Sequence, residues 1–470
     1  MLARTQLVGG IAQRPRVAQP VPGYHIRASL RGRLQAAFLM MHDARRLKPG
    51  QRERIVTPLE VPINSYDVII AGGGVIGSAV ARALLIRQPS LKVLLIEKEN
   101  RLAAHQSSRN SGVVHVGYNQ KPGTLKARLV VEGSRRLRAF CRETGVPLFE
   151  GGILVVARTQ GEVETIQILC ERGQANGARV RMIDREELAR REPHATGIAA
   201  LEAPEGASFD AHAYVQALAN QARSMGTIVQ FSEAAIGLEE KPGWVEVHAR
   251  APGELAFHAY QARVFINAAG LHADRLAWKM GCGCRYLVVP FRGYYSELAP
   301  DRRFLVNSHL YACPDLNFPF LGVHLSRNFD GRVRVGPGAM LALGREAYRL
   351  TDVHLADCRE MLLFPGFWRM AVSPTFLRLL RQEWKKSFFR SAVAAEARML
   401  VPELRTKDLR PSDSGIRAQL VSEDGKLVDD LVVEDTPRSI HILNAVSPAL
   451  TCSLPFADIL ARQAVEKLGG

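Results

Sequence analysis

Tyr66-Asp-Val-Ile-Ile-Ala-Gly-Gly-Gly-Val-Ile-Gly77 decides how this chain builds its first layer. Residues 66–71 are a β-branched apolar run, the pattern of a strand buried on both faces. Gly72, Gly73 and Gly74 follow at once, and Ser78-Ala-Val-Ala-Arg-Ala-Leu-Leu-Ile-Arg87 reads as a helix ended by Gln88-Pro89-Ser90. Residues 92–96 form a second apolar strand that stops at Glu97. In such a strand–turn–helix–strand unit, Gly72 makes the tight turn and Gly74 lets backbone N–H groups approach a pyrophosphate at the helix N-terminus. Gly77 lets the helix pack close to the strand. Glu97, with Lys98 beside it, falls where a carboxylate bonds ribose hydroxyls. The unit predicts a dinucleotide site.

The fingerprint alone does not separate FAD from NAD; the next segment helps. His105-Gln-Ser-Ser-Arg-Asn-Ser-Gly-Val-Val-His115 is a small-polar, glycine-containing loop just after the ribose carboxylate. Small residues such as Ser108, Asn110, Ser111, Gly112 and Val113 let backbone amides approach a flavin pyrophosphate and ring edge, and Ser111 can donate directly. Asn267-Ala-Ala-Gly270, at the end of a further apolar strand, adds a second close approach through Ala269 and Gly270. FAD is the expected cofactor.

Outward from this unit, helix-like stretches lie at 124–143 and 211–225, with a strand at 153–157 and a polar helix-prone segment at 161–192. Residues 286–349 alternate short apolar runs with Gly and Pro, an antiparallel pattern, and 355–400 are helical. A strand at 438–444 and a helix from about 454 close the chain. The expected fold is α/β: a discontinuous Rossmann-type FAD-binding domain with a second α+β substrate domain built on an antiparallel sheet. The expected segments are 61–150, 203–285 and 406–470 for the first and 151–202 and 286–405 for the second.

Composition narrows the function. Of the formal +16 charge, residues 1–55 carry +9, ten Arg and Lys48 against Asp43 and Glu53. This Arg-rich, acid-poor stretch reads as a transit peptide within a 1–60 leader, which points to mitochondria. The body that follows is modestly basic, without the basic face interleaved with aromatics that nucleic acid needs. No apolar run reaches the ~18–20 residues of a membrane span. The seven cysteines are scattered, and Cys282-Gly-Cys284 lacks the second pair that a zinc site requires, so no metal is expected. The basic amphipathic stretch at 355–400 can lie on a membrane, although a helical cap on the second domain is the simpler reading.

Several later blocks carry a specific resemblance. They include Asn110-Ser-Gly-Val-Val-His115, Lys121-Pro122, Pro290-Phe-Arg-Gly293 and Phe318-Pro-Phe-Leu-Gly-Val-His324. Gly336-Pro337, Arg345-Glu346 with Tyr348, Gly415-Ile-Arg-Ala-Gln419, and Asn444 with Ser447-Pro-Ala449 continue the series. With these blocks in order, the chain resembles the L-2-hydroxyglutarate dehydrogenase/oxidase family, within the D-amino-acid-oxidase-like superfamily of flavoproteins. The resemblance implies oxidation of L-2-hydroxyglutarate to 2-oxoglutarate, with hydride moving from the substrate Cα to flavin N5. Its substrate is a small dicarboxylate 2-hydroxy acid. It implies Arg417 as the first candidate for the 1-carboxylate and Arg292 as the second, although an arginine beside a glycine turn is as often a structural tie, and His324 or His115 as the base. Ser447, Pro448 and Ala449 would face the flavin pyrimidine ring or the helix start behind it. The acceptor that reoxidises the flavin, whether oxygen, a quinone or an electron-transfer flavoprotein, is left open by the sequence.

The departures from the family pattern fall near the same segments. Arg109 stands where the family has His, and Val116-Gly-Tyr-Asn-Gln120 replaces a stretch with two tyrosines. Asp413-Ser414 and Leu450 also differ. Val116 and Leu450 are expected to narrow a pocket. These changes keep two alternatives in view: a diverged paralogue oxidising another 2-hydroxy or amino acid, and a flavin-binding paralogue without turnover.

Overall fold

A computed structural model describes residues 64–316, 322–445 and 447–469. The 1–60 leader and residues 318–321, the start of the Phe318–His324 block, lie outside the described residues.

Strand β1 (Asn64–Ala71) is central in an eight-stranded sheet. It pairs in parallel with β2 (Val93–Ile96) on one side and with His258–Asn267 on the other, so that Val68 faces both Val93 and Val264. A strand flanked and covered in this way needs apolar residues at every position, and Val68, Ile69 and Ile70 are fully buried. Helix α1 (Val75–Arg87) packs over the sheet between Ala211–Ser224 and the closing helix Ala449–Leu468. The approach is close: a Cβ on Gly77 would lie 2.0 Å from the Gly72 carbonyl oxygen. Gly77→Ala is therefore expected to push α1 off the strand end, lowering both flavin content and thermal midpoint. Absorbance of the purified protein and a melting curve check this, and a variant with full flavin would contradict it.

The closing helix begins at Ala449, five residues earlier than its sequence suggests. Pro455 looks like a start signal, yet it sits inside the helix, where it removes the N–H that would bond the Thr451 carbonyl. That carbonyl is met instead by α2 (Leu125–Thr144), whose Gly133 passes so near that a Cβ would lie 2.1 Å from it.

The second sheet has nine strands and is mostly antiparallel, with Tyr286–Leu298 pairing with three of the others. Leu409–Ser422, expected within the cofactor segment 406–470, runs along Tyr286–Leu298 from Leu409↔Leu298 to Ser422↔Tyr286. Both strands are long enough to extend from the second core to the first, and nothing local in either names its partner. The helix-prone segment 161–192 is two helices, Gln160–Ala175 and Arg185–Arg191, separated by the strand Arg181–Asp184. Gly177, in the left-handed region at φ 79°, turns the chain between them.

Candidate active site

One cavity of about 1370 Å³ runs from the glycine turn to the second sheet. It exceeds the roughly 300–1,000 Å³ of a site for one drug-sized molecule. At the turn, a Cβ on Gly72 would lie 2.4 Å from the Ala268 carbonyl oxygen. The first turn of α1 carries no acidic side chain, so its positive end is left for an anion. Glu97 is buried and fixed by backbone: Gly73 N–H donates to Oε2 at 2.6 Å and Glu99 N–H to Oε1 at 2.9 Å. These residues fit a dinucleotide, with pyrophosphate at α1 and a ribose beside Glu97.

The loop after β2 completes the wall. Ser107, rather than Ser108, meets the turn, accepting from Val75 N–H at 2.9 Å and lining the cavity. The Ser108 hydroxyl is turned away and donates to the Ala103 carbonyl at 2.5 Å. Asn110 braces the loop, donating to the Gln106 and Ser107 carbonyls at 2.8 and 2.9 Å and accepting from Gly112 N–H at 2.8 Å. Gly112 stands behind the wall, whereas Asn110, Ser111 and Val113 line it, as do Ala269, Gly270, Ser447, Pro448 and Ala449.

Lys98 also lines the cavity, and its ammonium joins Glu99 at 2.5 Å and Glu346 at 2.7 Å. His105 bonds Glu99 at 2.8 Å and the Tyr348 hydroxyl at 2.6 Å, and His272 bonds Glu346 at 2.8 Å. Burial alone would raise the Glu346 carboxyl, but the bonds from His272 and Lys98 hold it well below the usual range. Arg345 ties the same segment down through a buried pair with Asp274 and a 2.6 Å bond to the Leu271 carbonyl. The Arg345-Glu346-x-Tyr348 block is thus a clasp between the two sheets at the cavity wall. Glu99, His105 and Glu346 converge closely enough to hold a cation, but the Lys98 ammonium already bridges both carboxylates.

At the far end the cavity reaches His115, His324 and Arg417. His324 is buried, stacked on Tyr311 with ring centroids 4.3 Å apart, and its Nδ1 lies 3.3 Å from the Gly322 carbonyl. A carbonyl only accepts, so Nδ1 carries the hydrogen and Nε2 presents its lone pair. That Nε2 is buried with no hydrogen-bond partner among the described residues. Burial, opposed by the Gly322 carbonyl and aided by His115, lowers the ring to about 4, so it is neutral near pH 7. His115 is likewise lowered to about 4, by burial and then by the Lys126 charge. Behind them lies His309, wholly buried and lowered to about 3 by burial, His324 and His115.

The two candidate arginines part company. Phe291 pairs with Arg417 and Arg292 with Ile416, so the arginines occupy successive registers and point to opposite faces of the sheet. Arg417 faces the cavity. Arg292 does not: its guanidinium donates to the Tyr294 hydroxyl at 2.8 Å, to the Ala347 carbonyl at 3.0 Å and to the Arg349 carbonyl. Its donors are thus spent on the fold, and it does not line the cavity.

Residues 67–463 match the FAD dependent oxidoreductase family, DAO. The chain belongs to that family. Among its relatives, it is 39% identical over 390 residues to L-2-hydroxyglutarate dehydrogenase of Escherichia coli (strain K12), covering 83% of this chain and 91% of that protein. It is 32% identical over 461 residues to the mitochondrial L-2-hydroxyglutarate dehydrogenase of Bos taurus, covering 95% and 99%. Among solved structures, the fold is similar to FAD-bound L-alpha-glycerophosphate oxidase from Mycoplasma pneumoniae. That match has a TM-score of 0.69 and 24% identity, over 87% of this chain and 96% of that one. Glycine oxidase from Geobacillus kaustophilus gives a TM-score of 0.63 at 20% identity, over 86% and 95%. FAD is the cofactor of this oxidoreductase, and the residues at the glycine-turn end of the cavity fit it.

In this flavoenzyme the departures at 116–120 divide. Val116 and Tyr118 turn into the core with Val131 and Ile153, so Val116 does not narrow the cavity. Asn119, Gln120 and Leu450 line it. The tyrosine hydroxyls come from the second sheet: Tyr295 and Tyr311 both line the site, and Tyr295 bonds Ser111. Sequence reasoning passed over both tyrosines, as well as Ser107, His309 and Lys126. The period-2 alternation His309, Tyr311 on one strand face was the available signal for two of them. Which of two adjacent serines meets the turn had none. His441 is a satisfied core residue, bonded to Ser439 Oγ at 2.8 Å and Asn267 at 3.1 Å.

Proposed function

We propose that this oxidoreductase converts L-2-hydroxyglutarate to 2-oxoglutarate in mitochondria. The observation that carries the reading is the cavity itself, which begins at the dinucleotide turn and ends on a neutral histidine and a cavity-facing arginine. The names of its relatives in bacteria and animals favour the same substrate, and the Arg-rich leader favours import. Bound FAD supplies the two-electron acceptor. Arg417 pairs with the 1-carboxylate through its planar fork and fixes which face of Cα is presented. His324 Nε2 takes the hydroxyl proton as the carbonyl forms, and Tyr311 stacked behind it keeps the ring from turning. The contacts Lys98–Glu346 and His105–Tyr348 tie the loop after β2 to the segment 345–348 at the cavity wall. Incubating purified holoenzyme with L-2-hydroxyglutarate and an artificial electron acceptor tests the assignment. Stoichiometric 2-oxoglutarate is the expected product. Turnover of a different 2-hydroxy or amino acid in its place would overturn it.

The same reading includes a membrane surface as the place of work. No helix among the described residues is long and apolar enough to cross a membrane. Helix Pro374–Phe388, however, buries Phe376 and Leu379 and still exposes Leu377, Leu380, Trp384 and Phe388 along one stripe. Arg378, Arg381 and Lys385 flank that stripe. An apolar stripe bordered by cations suits an anionic lipid surface. The enzyme is expected to sediment with phosphatidylcholine vesicles that contain phosphatidylserine and to be released by high salt. Trp384→Glu is expected to remain in the supernatant. Equal sedimentation of both forms would remove the membrane from the account.

A further inference from the structure

Lys126 is the only lysine among the described residues that is buried, and it lines the catalytic cavity. Its position is unfavourable by local rules. It is the second residue of α2, where the positive end of the helix repels a cation, and no acidic residue stands in that first turn. A buried ammonium needs strong compensation. What it has is one residue, Asp429: the backbone carbonyl at 3.0 Å and carboxylate Oδ1 at 3.2 Å. The carbonyl positions the ammonium without neutralising it. The carboxylate neutralises it weakly, because the Asp429 side chain is 70% exposed and screened by water.

Asp429 also lines the cavity, and its charge reaches Arg417 as well as Lys126. The Lys126 charge in turn reaches His115. Two cations therefore share one cavity and one movable acid. We propose that Lys126 binds the distal carboxylate of the substrate, releasing the Asp429 side chain while keeping the Asp429 carbonyl. On this arrangement Arg417 selects for a 2-hydroxy acid and Lys126 selects for a dicarboxylate. The Lys121 side chain, at the cavity rim, is exposed and lacks the enforced position that selection requires. The inference rests on the substrate reading above and adds the residue that sets its chain-end specificity.

The test is the ratio of kcat/KM for L-2-hydroxyglutarate to that for L-2-hydroxypentanoate, which has the same carbon chain without the second carboxylate. Lys126→Gln holoenzyme is expected to lower that ratio roughly 10- to 100-fold, the loss of one charge-assisted contact. A structural role would lower both values alike and leave the ratio unchanged, which would overturn the proposal. Asp429→Asn supplies a second reading that does not depend on the first variant holding flavin. It removes the competing carboxylate and is expected to lower KM for the dicarboxylate; a raised KM would mean that Asp429 is a required tether and would overturn the exchange. If wild-type enzyme itself fails to prefer L-2-hydroxyglutarate, the substrate reading falls. If it prefers that acid and Lys126→Gln keeps the preference, only the role of Lys126 falls.

Discussion

His324→Gln is expected to slow reduction of the bound flavin by roughly 10²- to 10⁴-fold, the usual worth of a positioned base. Glutamine keeps the polarity and approximate reach of imidazole but has no basic nitrogen, so flavin content and substrate KM should change little. The assignment rests on tautomer: the Gly322 carbonyl fixes the hydrogen on Nδ1 and leaves Nε2 as the proton acceptor. Among the described residues His115 has no such orienting partner for its ring; its backbone N–H donates to Thr451 Oγ1 at 3.3 Å. His115→Gln is accordingly expected to cost less. A larger loss in His115→Gln than in His324→Gln would exchange the two roles.

The pH profile separates chemistry from structure. Because burial holds His324 at about 4, below its ordinary value, the base is neutral across the neutral range. Wild-type kcat/KM should be flat above about pH 6 and fall toward pH 4 as the ring takes up a proton. His324→Gln should lack that acid limb. The same depression affects folding. A histidine held below its unfolded value stabilises the fold fully above that value, and the contribution is lost as pH falls from about 6.5 toward the folded value. Flavin content must therefore be measured alongside rate at each acidic pH.

The second large effect belongs to Arg417. Arg417→Lys replaces a planar fork with a point charge on the cavity wall, and should raise KM for L-2-hydroxyglutarate with flavin content unchanged. Arg417→Met should cost more, on the order of 10²- to 10³-fold in kcat/KM, because a carboxylate is then buried without its partner. Loss of flavin in Arg417→Lys would mean that this side chain serves the cofactor instead. Arg292→Lys provides the contrast. Its target groups are backbone carbonyls and a tyrosine hydroxyl, so its effect should appear in the melting temperature before it appears in KM.

What could be read from the chain and what could not divides by distance along the sequence. The β1–turn–α1–β2 unit was legible because its determinants are contiguous: an apolar run, glycines at fixed offsets, and an acid at the next strand end. The closing strand and helix were legible from periodicity, with Pro455 blurring the helix start. The choice between Arg292 and Arg417 was not legible. It depends on register between Tyr286–Leu298 and Leu409–Ser422, and moving that register by one residue exchanges the faces. The same long-range pairing hid the membership of Leu409–Ser422 in the second sheet. Val116 looked like a pocket residue because it follows His115, yet it packs into the core with Tyr118, Val131 and Ile153. Lys126 gave no motif at all. Its interest comes from being buried at a helix start, which only the packed structure reveals.

An active site for L-2-hydroxyglutarate that joins the dinucleotide turn to Arg417 and His324 requires the bound flavin to be reduced by that acid and not by its mirror image. Rapid mixing of anaerobic holoenzyme with L-2-hydroxyglutarate, its Cα-deuterated form and the D enantiomer tests it most directly. The L acid is expected to bleach the flavin absorbance, severalfold more slowly with deuterium at Cα, and the D acid is expected to leave it unchanged. Flavin left oxidised by the L acid, or reduced equally by both enantiomers, would contradict it.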